Sequence, residues 1–97
     1  MTSHEAASDA AMRASHGRLL VLQHLSRAPL TDFELADATG WQQTSIGKRR
    51  GECVAAGLVD VLFDERGEVK KRPTPSGSSA RVWRITDKGR AFLSGDN

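Results

Sequence analysis

Pro29, Gly40 and Gly57 punctuate the first 57 residues, and each of the three runs they bound reads as carrying one short helix. Any helix formed in these runs must bury an apolar face against the other two. From His16 onward, Leu19, Leu22 and Leu25, with Leu20 and Val21 beside them, recur at the three- and four-residue spacing of one buried helical face. Pro29 ends that run, because a proline disfavours helical geometry in the residue before it.

Thr31-Asp32-Phe33-Glu34 then has the form of a capping box. The threonine hydroxyl can accept from a first-turn amide while the glutamate reaches back to the cap. Phe33, Leu35, Ala36 and Ala38 follow in a short helix that Gly40 stops. After Trp41 and two glutamines, a third helical run is expected over Thr44 to Ala56. Ile46 and Cys53 share its inner face with the stem of Arg50, while Thr44, Gly47, Lys48, Gly51 and Ala55 point the other way.

Past Gly57 the pattern changes. Leu58, Val59, Val61 and Phe63 alternate in part, as a half-buried strand does, and Asp64-Glu65-Arg66-Gly67 reads as a turn into a second strand over Val69 to Arg72. The segment from Arg72 to Ser79 has two prolines, a glycine and four hydroxyl residues, which predicts an exposed loop. Ala80 to Ile85 returns as a strand with Trp83 and Ile85 on one face, and Thr86 can cap a last helix over Asp87 to Leu93 that brings Phe92 and Leu93 back to the core. Residues 1–15 form an alanine-rich segment, helical or frayed, with a capping pattern over Thr2 to Glu5, and residues 94–97 read as a tail.

From a length of 97 residues a single compact unit with short tails is expected, with no room for a second domain within them. No apolar run exceeds the four residues of Leu19 to Leu22, far short of the roughly 18 residues that span a bilayer, so a soluble cytoplasmic chain with no membrane partner is expected. Cys53 is the only cysteine, which excludes an internal disulfide and favours a buried, inert role. The three histidines, His4, His16 and His24, lack the close spacing of a zinc site, and no nucleophile with an oriented base is visible. Neither an enzyme nor a metal or cofactor is expected.

The net charge of +2 hides a strong asymmetry. Residues 42–90 carry eleven Lys and Arg against six acids, and Val69 to Arg84 holds Lys70, Lys71, Arg72, Arg81 and Arg84 with no acid at all. Such a local excess attracts a polyanion, because each phosphate neutralised releases condensed counterions. A solvated basic face is the competing explanation.

The order of elements, together with three segments, resembles a known fold family. Leu35-Ala-Asp-Ala-Thr-Gly40, Ala55-Ala-Gly-Leu-Val59 and Arg81-Val-Trp-Arg-Ile-Thr-Asp-Lys-Gly89 resemble the winged helix-turn-helix domains of MarR-type regulators and of small phage or actinobacterial DNA-binding proteins. The resemblance covers Leu30 to Val59 and Arg81 to Leu93. It implies an α+β winged helix-turn-helix domain over residues 16–93, with a three-helix core, a small antiparallel β-hairpin wing and a short C-terminal helix.

It also implies sequence-specific binding of double-stranded DNA by a small transcriptional regulator. A recognition helix over residues 43–56 would lie in the major groove and a wing over residues 69–81 on the backbone or minor groove. Gln42, Gln43, Thr44, Ser45 and Lys48 match the family's contact positions, and the helical wheel independently turns Thr44 and Lys48 outward. Arg49 and Arg50 depart from the family, which carries apolar residues there. Their guanidinium groups can reach phosphate or pair with Asp32, Glu34 or Asp37. Lys70, Lys71, Arg72, Ser76, Ser78, Ser79 and Arg81 would supply the wing's contacts. A homodimer reading two half-sites, a winged helix that docks a protein partner, and a phage DNA-architecture or excision factor all remain compatible with the same residues.

Overall fold

The computed structural model describes residues 15–95, so the alanine-rich segment up to residue 14, with its capping pattern over Thr2 to Glu5, and residues 96–97 lie outside the described part. Residues 15–25 are helical (α1), followed by α2 (Asp32–Thr39), α3 (Gln43–Ala55), β1 (Val59–Val61), β2 (Lys71–Pro73), β3 (Ser79–Arg81), β4 (Trp83–Ile85) and α4 (Asp87–Ser94).

The stops expected at Gly40 and Gly57 have their physical counterparts, whereas α1 already ends at Leu25, ahead of Pro29. Thr31 and Glu34 form the full capping box of α2, and Gly40 ends that helix in the left-handed region at φ 76°. The close of α3 is a Schellman motif, in which the Gly57 amide donates to the Val54 carbonyl at 3.0 Å and the Leu58 amide to Cys53 at 2.9 Å. Gly57 takes the left-handed conformation that this requires, at φ 78°. Only Gly40, Trp41 and Gln42 separate α2 from α3, the short turn of a helix-turn-helix.

The core lies where the three helices meet the sheet. Val21, Leu22 and Leu25 of α1, Leu35 of α2, Ile46 and Cys53 of α3, and Val59, Trp83 and Ile85 of the sheet are buried together. Full burial of a leucine such as Leu22 is worth roughly 2 to 3 kcal/mol, so these side chains dominate the stability of so small a unit. Leu19, expected in this face, is 39% exposed. The buried stripe of α1 runs through Val21, Leu22 and Leu25, and Leu19 falls beyond its edge.

β1 pairs antiparallel with β4, and Leu30 extends this sheet through reciprocal backbone bonds with Trp83 of 3.1 and 2.8 Å. β2 and β3 form a separate hairpin in the register Lys71 to Arg81, Arg72 to Ala80 and Pro73 to Ser79. The expected single strand from Ala80 to Ile85 is divided at Val82. There the Leu62 amide donates to Val82, the Val82 amide to Lys70, and the Lys70 amide to Leu62, a closed ring of three bonds at 2.8 to 3.0 Å. This ring joins the sheet to the hairpin, and it buries both Val82 and Trp83, neighbours that a plain strand would point to opposite faces.

The loop expected from Arg72 to Ser79 is shorter than the sequence suggests, because Pro73 and Ser79 pair and only the tip turns. Thr74 and Ser78 close that tip, with Gly77 in the left-handed region at φ 88°.

α4 packs on the sheet through Gly89. A Cβ there would run into the Leu58 carbonyl oxygen, so only glycine fits. Leu93 reaches the core, but Phe92 is 49% exposed, and Phe33 and Phe63 are exposed as well. The two tryptophans, by contrast, pack in or against the core. Among the described residues no helix is long and apolar enough to cross a membrane.

Candidate nucleic-acid interface

Burial of Ile46 and Cys53 fixes the rotation of α3 and turns its opposite side to solvent. Gln42, Gln43, Thr44, Ser45 and Lys48 are all exposed, at or near the N-terminal end of this helix. Free amides at such an end, with the positive pole of the helix dipole, favour anionic groups. α3 has no acid in its first turn and no side-chain cap from Gln42 to oppose that.

The β2–β3 hairpin lies beside this end. Phe33 of α2, Gln43 of α3 and the hairpin residues Thr74 to Ser76 and Ser78 to Ala80 line a groove of about 380 Å³. Lys70, Lys71, Ser76, Ser78, Ser79 and Arg81 are exposed. Thr74, Ser76 and Ser78 link their hydroxyls in a chain of 2.9 and 3.1 Å, which gives the tip an ordered polar edge.

Lys71 and Arg81 stand directly opposite one another across the hairpin. Like charges in that position cost roughly 0.2 to 1 kcal/mol, a cost that an anion between them would relieve. Among the described residues, Lys48, Lys70, Lys71 and Arg81 have no carboxylate within ion-pair distance. Four unpaired cations therefore frame α3 and the hairpin.

The other three cations expected at the site are engaged within the molecule. Arg50 makes a forked pair with Asp32, Nε to Oδ1 at 3.0 Å and Nη2 to Oδ2 at 2.6 Å, and its guanidinium lies 4.0 Å from the centre of the Trp83 ring. Arg49 pairs with Glu52 at 3.1 Å, and Glu52 also accepts from Arg18 of α1 at 3.0 Å. That hydrogen bond from Arg18, helped by the charge of Arg49 and opposed by burial, holds the Glu52 carboxyl below its usual range. Arg72 donates to Glu34 at 2.6 Å and reaches the Pro29 carbonyl at 3.4 Å.

The stems of Arg49 and Arg50 do pack inward, and of the acids that sequence offered to Arg50, Asp32 is the one it meets. Glu34 as the partner of Arg72, 38 residues away, has no local signal in the sequence. Phe33 at the groove was likewise missed, because an aromatic in a first turn reads as core until the helix is placed.

Cys53 is fully buried, and burial pushes its thiol up to about 11. Among the described residues no group of His, Cys, Asp and Glu could hold a metal ion.

No family model matches the chain, and no curated protein matches it in sequence. Solved structures do. The transcriptional regulator BldR from Sulfolobus solfataricus aligns over 84% of this chain and 52% of its own, at 23% identity and a TM-score of 0.63. A MarR family transcriptional regulator from Silicibacter pomeroyi aligns over 96% of this chain and 56% of its own, at 20% identity and a TM-score of 0.65. A PadR family transcription regulator from Clostridium difficile aligns over 81% of this chain and 80% of its own, at 13% identity and a TM-score of 0.63. The chain spans about half the length of the first two. Three helices on a small sheet, a three-residue turn before α3 and a basic hairpin beside it give this chain the winged helix-turn-helix fold found in MarR- and PadR-type regulators.

Proposed function

We propose that the protein is a non-enzymatic binder of double-stranded DNA that acts as a small transcriptional regulator. One observation carries this reading. The exposed end of α3 and the tip of the β2–β3 hairpin line one groove, and Lys48, Lys70, Lys71 and Arg81, on or next to these two elements, have no carboxylate within ion-pair distance, while Arg49, Arg50 and Arg72 are neutralised internally.

In this reading α3 enters the major groove. Gln42 and Gln43 are suited to adenine, the Thr44 methyl to a thymine methyl, and Lys48 to guanine acceptors or phosphate, with Ser45 as a further donor. The wing follows the adjacent backbone, with Lys70, Lys71 and Arg81 on phosphate and Ser76, Ser78 and Ser79 donating from the tip. Similarity to solved regulators supports the choice of ligand class.

A salt series is the test. Duplex affinity is expected to fall steeply between about 50 and 200 mM salt, and Lys70→Ala with Lys71→Ala to make the slope shallower by about two. Thr44→Ala is expected to change preference among duplex sequences more than overall affinity. Absence of duplex binding at low salt would overturn the reading and turn attention to a protein partner for the same face.

A further inference from the structure

The first turn of α2 holds two carboxylates that point to different elements. Asp32 grips Arg50 of α3 in a two-bond fork, and Arg50 lies over the Trp83 ring of β4. Glu34 grips Arg72 of the wing at 2.6 Å, and the same Oε1 atom accepts from the Thr31 amide at 2.8 Å. Glu34 therefore closes the cap of its own helix and anchors the wing with one oxygen. Gly47 belongs to the same arrangement, since a Cβ at that position would lie 3.3 Å from Asp32 Oδ2. The absent side chain lets α3 approach the α2 turn closely enough for the fork to form.

Resting on the DNA-binding reading above, we propose that the first turn of α2 sets the position of the wing relative to α3, with Arg50 and Arg72 as positioning residues and not phosphate contacts. A duplex fixes the spacing between its major groove and the adjacent backbone, so a helix and wing held at the matching separation lose less freedom on binding. The Arg72–Glu34 and Arg50–Asp32 pairs supply that restraint before any ligand arrives. In each pair both side chains are part-buried, where an ion pair is less screened than at an open surface.

Glu34→Gln tests the wing arm cleanly, because glutamine preserves a capping box while removing the charge that Arg72 needs. Two readouts are required. Without DNA, amide relaxation over residues 74–79 is expected to show lower order in Glu34→Gln and in Arg72→Ala than in the parent protein, with α3 unchanged. With a random-sequence duplex at low salt, both variants are expected to weaken binding by a similar factor of about three, with the salt slope unaltered. The double variant is expected to be no worse than either single one.

A salt slope shallower by about one in Arg72→Ala, with Glu34→Gln unaffected, would make Arg72 a phosphate contact and overturn the proposal. An equally ordered wing in all variants would overturn it too. If the duplex is not bound by any form while the wing loosens as described, the anchoring stands and the DNA-binding reading fails.

Discussion

At Gly51 the Cβ that glycine lacks would meet no atom within 4 Å, whereas at Gly47 it would press on Asp32. The two glycines of α3 therefore differ in purpose, although the sequence presents them alike. Gly51→Ala is expected to stabilise the fold by about 1 kcal/mol, the helix-propensity difference, as measured by chemical denaturation. Gly47→Ala is expected to gain nothing, because the Asp32 carboxylate must move away from Arg50. A glycine's spacing shows which face it occupies; whether that face meets another helix depends on a partner far along the chain.

Two further residues make pH-dependent claims. Cys53, with its thiol pushed up to about 11, is expected to resist alkylation at pH 8 until the protein is unfolded, and mass spectrometry before and after denaturant checks this. Glu52 has a folded-state pKa below its usual 4.5, so its stabilising contribution is present above that value and is lost as pH falls through the folded one. Glu52→Gln is accordingly expected to be less stable than the parent at neutral pH, with the difference vanishing as the solution is acidified below pH 4.5.

Among the elements, the caps and stops were the most legible, because they are local chemistry. Thr31 to Glu34, Gly40, Gly57 and Thr86 act where the sequence places them. Thr31→Ala is expected to cost about 1 kcal/mol and to raise the exchange rate of the α2 first-turn amides. The hairpin was half legible. Its prolines, glycine and hydroxyls mark the turn, but the pairing of Pro73 with Ser79 and the Leu62–Lys70–Val82 ring depend on three segments meeting. Burial of the aromatics was least legible. Phe33, Phe63 and Phe92 carry the same hydrophobic signal as Trp83, and only the assembled packing separates the exposed from the covered. The basic residues divide in the same way: charge density along Val69 to Arg84 is plain in sequence, but the engagement of Arg72 and Arg50 requires the carboxylates of α2 to be in place.

For the whole molecule, the winged helix-turn-helix arrangement follows from three short amphipathic helices that cannot stand alone and a sheet that closes their open side. That arrangement leaves one end of α3 and one basic hairpin facing solvent together, and the proposed duplex binding rests on their shared orientation. Mapping amide chemical shifts while a duplex of about two helical turns is added at low salt tests it most directly. Shifts are expected to concentrate in residues 42–48 and 70–81, with the far side of α1 and α4 quiet. Shifts centred on α1 and α4, or none at any duplex concentration, would contradict it.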